Sequence, residues 1–214
     1  MSDASTAVGT PEGRAVNESE QHSSVTLRGI AWLLTICGAI GLLAAADLTI
    51  ERAKLLADPS YRPSCSLNPV LSCGSVILQP QAQVFGFANS LLGIAGFAVV
   101  TTIGVGILAR AQYARWFWIG LNVGALAGLV FVHWLAVQSL YVIGALCPYC
   151  MVVWVVTMTV FVAVTLSNIR TGVFSSDPNR RPGRPRSWLG VAIIVVWIAI
   201  VSALIIIRFP TIFG

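Results

Sequence analysis

Four long stretches of this chain carry no charged side chain: Gly29 to Ala46, Val84 to Ala109, Trp116 to Ile169 and Ser187 to Ile207. A helix needs about 20 apolar residues to cross a hydrocarbon core of roughly 30 Å. The third stretch is 54 residues long, enough for two spans joined by a tight turn. Gly144 and Pro148 place that turn, because proline fits the first turn of a helix and not its interior. The pattern therefore predicts five transmembrane helices. The apolar runs are continuous and do not alternate, which excludes a closed barrel. The fold class is all-α integral membrane.

Composition agrees: 57% of the 214 residues are hydrophobic and 10% charged, where a globular chain carries about 25% charged residues. The net charge of +5 raises the question of nucleic acid, but the arginines are placed by topology. Arg28 precedes span one, Arg110 and Arg115 lie between spans two and three, and Arg170, Arg180, Arg181, Arg184 and Arg186 lie between spans four and five. Arg52, Lys54, Arg62 and Arg208 fall on one side, where Glu51 and Asp58 partly offset them, and the arginines named above all fall on the other. By the positive-inside rule that side is cytoplasmic, so the N-terminus is expected inside and the C-terminus outside. Residues 1–26 are polar and are expected to form a disordered cytoplasmic tail. A signal peptide cleaved near Ala44-Ala45-Ala46 is the competing reading. The apolar core is long for that role, and its removal would leave the following loop unanchored.

Four of the five cysteines fall into two pairs. Span one exits near Asp47, so the loop of about 49–83, with Cys65 and Cys73, lies outside. Span four starts on the same face with Cys147-Pro148-Tyr149-Cys150. In bacteria that face is oxidising, and disulfides persist there. Cys147 and Cys150, three apart, share one helix face about 4.5 Å apart along its axis. The positive end of a helix favours the thiolate, the species that attacks a disulfide or a quinone ring. Cys147 lies nearest water and Cys150 one turn deeper, so electrons are expected to enter at Cys147 and leave from Cys150. Three alternatives stand beside this. The four sulfurs could form a structural zinc site, although a 65/73 spacing is atypical. Cys65 and Cys73 could be a plain staple in a loop containing Pro63, Pro69 and Gly74. The chain could be a small transporter or metal-binding membrane protein with structural cysteines. Cys37, mid-span, reads as a small core residue.

A loop pair after span one followed by CxxC at the outer end of span four resembles the vitamin K epoxide reductase family, in particular bacterial (actinobacterial-type) homologues without a fused thioredoxin-like domain. The resemblance covers residues 27–166 and implies a four-helix catalytic bundle. Around it lie an Arg-rich cytoplasmic linker at 167–187, a fifth transmembrane helix at 188–207 and a short outer tail at 208–214. It implies a thiol:quinone oxidoreductase of the bacterial cytoplasmic (inner) membrane. Cys65 would form a mixed disulfide with a separate periplasmic thioredoxin-like or DsbA-like partner. Cys73 would pass electrons to Cys147, and Cys150 would reduce a membrane quinone of the menaquinone or vitamin K type. No metal and no nucleic acid is implied. Asn89 matches the family's quinone-carbonyl ligand on helix two. From spacing it lies about five residues, or roughly 8 Å, inside span two, where an unpaired amide is costly. Trp154 stands where vertebrate enzymes carry a quinone-contacting tyrosine, and Gln79 where relatives carry Ser or Thr. Both departures favour plain quinone reduction over epoxide chemistry.

Weaker signals remain. Val76-Ile77-Leu78 either caps a quinone pocket or packs within the loop. Asp47 either tunes thiols or ends a helix. His133, inside span three, is a functional candidate or a neutral histidine bonded to a carbonyl. Trp116, Trp118, Tyr141, Tyr149 and Trp188 suit interfacial belts.

Overall fold

The structure, a computed structural model, describes residues 11–68, 70–174 and 188–210. Its elements are α1 (Pro11–Ala57), α2 (Cys73–Ile77), a 3₁₀ turn (Pro80–Gln83), α3 (Asn89–Leu108), α4 (Arg115–Val137) continued by a π-helical turn (Gln138–Ile143), α5 (Pro148–Arg170) and α6 (Trp188–Arg208). Among the described residues five helices are long and apolar enough to cross a membrane, and the fold is all-α. α1 packs against α3 and α5, and α5 against α4 and α6.

Several boundaries differ from the sequence expectation. α1 begins at Pro11, so the segment expected to be disordered is helical over 11–26, while 1–10 lie outside the described residues. Once a span has nucleated a helix, each further residue adds a backbone hydrogen bond without a new nucleation cost. At its other end α1 does not stop near Asp47 but continues to Ala57. Leu48, Glu51 and Leu55 are buried along one face there, and Glu51 pairs with Lys54 at 3.4 Å. Most of the 167–187 linker and the end of the 208–214 tail lie outside the described residues.

Span two starts at Asn89, not at Val84. Pro80 opens the 3₁₀ turn, and Gly86, at φ +82°, takes the left-handed backbone that only glycine adopts cheaply. Gly144, at φ +70°, closes the π-helical turn before α5, where the tight turn is expected.

Small residues set the bundle's closest approach. A Cβ added at Gly38 would lie 2.8 Å from the Thr101 backbone nitrogen, and one at Gly104 would lie 2.6 Å from that of Thr35. Glycine lets α1 and α3 touch backbone to backbone, which in lipid replaces the missing hydrophobic drive by dispersion. At the end away from the cysteines, Asn122 donates to Thr165 at 2.8 Å and Asn168 to the Trp118 carbonyl at 3.1 Å, tying α4 to α5.

Candidate functional site: two cysteine pairs over an apolar cavity

The loop between α1 and α3 is brought to the start of α5 by two backbone hydrogen bonds. Leu146 N–H donates to the Val70 carbonyl at 2.7 Å, and Ser72 N–H donates to the Leu146 carbonyl at 2.9 Å. This parallel bridge sets Leu71 opposite Leu146. Its register places Cys73, one residue after Ser72, beside Cys147, one residue after Leu146. Ser72 also caps α2, its Oγ accepting from Ser75 N–H, which fixes Cys73 as that helix's first residue.

Cys65 and Cys73 form a disulfide. Cys147 and Cys150 are thiols. The Cys147 Sγ lies 3.1 Å from the Cys73 Sγ, within the roughly 3–3.5 Å of a reacting pair poised for attack. Cys73 and Cys147 are 0% and 1% exposed, whereas Cys65 is 7% exposed, so Cys65 is the sulfur of the disulfide nearer to an outside thiol. Leu48, Val76, Ile77 and Ala145 surround the three buried sulfurs.

Cys147 is the N-cap of α5, and Pro148 holds the first helical position. The hydrogen bond from Cys150 and the backbone N–H groups of Cys150 and Tyr149 hold the Cys147 thiol below its ordinary value against the opposing effect of burial. Donors that stabilise the thiolate lower a pKa, whereas desolvation raises it. Exchange between Cys147 and Cys73 is therefore expected to stay at its plateau as pH falls through the ordinary thiol range. It should drop only when pH passes the lowered Cys147 value. Alkylation-quenched exchange measured against pH checks this; a rate that keeps climbing up to the ordinary thiol value would contradict it.

Cys150, one turn on, packs against the edge of this cysteine cluster and also reaches the space beneath it. It lines a half-open cavity of about 780 Å³ between α1, α3, α4 and α5, a volume in the range of small-molecule sites. Trp154, 3% exposed, lines the same cavity one turn below Cys150. On α4, Gly120 and Gly124 line it as well, and a Cβ at either would meet nothing within 4 Å. The few polar groups on this apolar wall include Asn89, Ser90, Gln81 and Arg52.

Asn89 reaches the cavity, but not from the depth that the sequence implies. It is the first residue of α3, its Nδ2 donates to the Gln81 carbonyl at 2.7 Å, and its Oδ1 accepts from Val84 N–H at 3.1 Å. The amide holds the 3₁₀ turn over the cavity and keeps one N–H and one lone pair free. Gln79 is not at the cavity; its Nε2 donates to the Ser75 carbonyl at 3.1 Å. Val76 and Ile77 are buried and line the cavity, while Leu78 is exposed, so two of the three apolar loop residues form its lid.

Arg52, which the sequence placed only as a topological charge, ties that lid to α1. It donates to the Ile77 carbonyl and, at 2.9 Å, to Gln83 Oε1. No local motif marks it; its signal is a cation one turn inside the end of a membrane helix. Asp47 is exposed at mid-helix, so it ends no helix. His133 has both ring nitrogens engaged: Trp197 Nε1 donates to Nε2 at 2.8 Å, and Nδ1 lies 2.8 Å from the Leu129 carbonyl. Since indole only donates, Nε2 is the acceptor and Nδ1 carries the proton. Tyr149 packs on the cysteine cluster and so serves more than an interfacial belt.

The fold and site define a multi-pass helical membrane protein in which a disulfide and a dithiol meet within exchange distance above an apolar cavity. The family described as Vitamin K epoxide reductase family matches residues 32–165, and the chain belongs to it. Its members are membrane oxidoreductases that work on thiols, disulfides and quinones. No curated protein matches the chain.

Proposed function

We propose that the chain is a thiol:quinone oxidoreductase of the bacterial inner membrane that re-oxidises a thioredoxin-like periplasmic protein. The carrying observation is the 3.1 Å approach of Cys147 to Cys73 with Cys150 on the cavity wall. One sulfur of the CxxC faces the disulfide and the other faces the cavity. The first lets the pairs exchange electrons, and the second delivers them to whatever the cavity holds.

The residues suit a quinone: the space is large and mostly apolar, Asn89 has hydrogen-bonding capacity to spare, and Trp154 offers a flat wall with an indole donor. A bound quinone accepts two electrons and two protons. The chain's own residues do the rest. The partner's thiolate attacks Cys65, its second thiol resolves the mixed disulfide, and Cys65 and Cys73 are left as thiols. Cys73 then attacks Cys147 of the oxidised CxxC, releasing Cys150 as a thiolate. Cys65 attacks Cys73, which restores the Cys65–Cys73 disulfide and frees Cys147. That is the redox state described here. Cys150 and Cys147 then give up two electrons and two protons and close their own disulfide. The sum is partner dithiol plus quinone going to partner disulfide plus hydroquinone. With the Arg-rich segments inside, both pairs face an oxidising compartment.

Purified protein in lipid nanodiscs, supplied with a reduced thioredoxin-like dithiol protein and a menaquinone analogue, is expected to form one hydroquinone per partner disulfide. Absence of hydroquinone while the partner is oxidised would sink the quinone as acceptor.

A further inference from the structure

The family match ends at residue 165, and α6, residues 188–208, lies beyond it. Most of its large side chains, among them Val191, Val195, Ile200 and Ile207, are exposed, as on a helix that faces lipid. A helix serving only as an anchor needs no polar tie to the bundle. α6 has two. Trp197 donates to His133 on α4, and Arg208 Nε donates to the Leu140 carbonyl at 3.1 Å.

The second tie meets a specific vacancy in the backbone. In an α-helix the Leu140 carbonyl would accept from Gly144 N–H. In the π-helical turn Gly144 N–H goes to Ser139 instead, at 3.0 Å. A buried carbonyl without a donor costs free energy in an apolar setting, and the guanidinium supplies that donor from α6. Ile205 and Phe209, on either side of Arg208, pack in the cluster containing Leu140, Leu146 and Trp154. Leu146 is fully buried and makes both backbone bonds that set Cys73 beside Cys147.

We propose that the last turn of α6 is a brace for the redox turn. Arg208 and its apolar neighbours hold residues 140–146 so that the Leu71–Leu146 bridge keeps Cys147 within attack distance of Cys73. Arg208 is a positioning residue and touches neither sulfur. The step it governs is the exchange itself. The Cys147 thiolate bonds to the Cys73 sulfur, the Cys65–Cys73 bond breaks, and Cys65 leaves as a thiolate and takes a proton. The same transition state serves both directions. The brace deepens the oxidoreductase reading, but this exchange is measurable without a quinone.

The test uses full-length protein in nanodiscs, carrying Cys150→Ala so that the Cys73–Cys147 bridge can be counted by alkylation and mass spectrometry. Arg208→Met keeps the stem and removes the donors. It is expected to slow bridge formation about tenfold, because displacement of reacting groups by a fraction of an ångström carries penalties of that order. Arg208→Lys, which restores a donor, should recover most of the rate. With Cys150 present, Arg208→Met should lower kcat for the menaquinone analogue and leave its KM unchanged. Bridging at the unmodified rate in Arg208→Met, or no recovery in Arg208→Lys, overturns the brace. Should Arg208→Met fail to fold, Trp197→Phe decides, since it loosens α6 one remove from the turn. Slowed bridging supports the brace and an unchanged rate overturns it. If bridging depends on Arg208 yet the wild-type protein reduces no quinone, the brace stands and the quinone reading falls.

Discussion

Replacing Cys150 with alanine is expected to abolish quinone reduction, with a loss of about 10³-fold or more, as when an enzyme loses its reacting nucleophile. Cys150 is the only cysteine of the two pairs on the cavity wall; the Cys147 sulfur lies against Cys73 and is 1% exposed. The variant should still take electrons from its partner once. The variant holds one disulfide, Cys65–Cys73 or, after exchange, Cys73–Cys147, so one equivalent of partner dithiol per protein is oxidised and the reaction then stops. A protein whose cysteines are merely structural would oxidise none. Quantifying the burst of partner oxidation and the hydroquinone formed in the same sample separates these cases. Continued turnover of the variant at the wild-type rate would refute the assignment of Cys150 as the exit.

Gly104→Val is expected to cost the bundle its stability. A Cβ there would sit 2.5 Å from Thr35 Oγ1, 2.6 Å from the Thr35 nitrogen and 2.9 Å from the Ala31 carbonyl oxygen. Two of these atoms are backbone and cannot turn aside as a side-chain tip would. Overpacking of this kind costs about 1–3 kcal/mol in soluble cores. Here the contact joins α1 to α3, where close backbone approach is itself the source of the attraction. The expected result is a melting temperature in detergent several degrees below wild type, with poor recovery of folded protein. Gly124→Ala is the control, since its Cβ would meet nothing within 4 Å, and it should melt with the wild type. Equal melting of all three proteins would show that α1 and α3 can separate at no cost.

How much of the site was legible follows from what kind of information each part requires. Uncharged runs report burial in lipid, so the five spans and the turn at Gly144 could be located from composition alone. The same runs, with the arginines, placed both cysteine pairs at one end. The CxxC spacing at a proline-marked helix start put Cys147 at the cap and Cys150 a turn deeper. Asn89 was misplaced in depth because an uncharged stretch does not show where its helix begins. Pro80 and Gly86 mark that boundary, and the loop they shape folds back over the cavity. Arg52 was legible only as charge, because its bonds to Ile77 and Gln83 join segments that no local pattern connects.

The sequence by itself determined an all-helical, five-span protein with four cysteines on one face, two of them on a helix start. These follow from hydrophobicity and helical repeat, which act over a few turns of chain. Family resemblance implied the order of the sulfurs, but only the tertiary structure decided how Cys73 and Cys147 come within 3.1 Å. The Leu71–Leu146 bridge, two backbone bonds between distant segments, sets that register, and backbone bonds carry no side-chain signature. Tertiary packing also opened the cavity beside Cys150 and brought Arg208 to a carbonyl that the π-helical turn had left without a donor. Distance along the chain cannot encode these contacts, because each depends on helices that find one another only once the bundle closes.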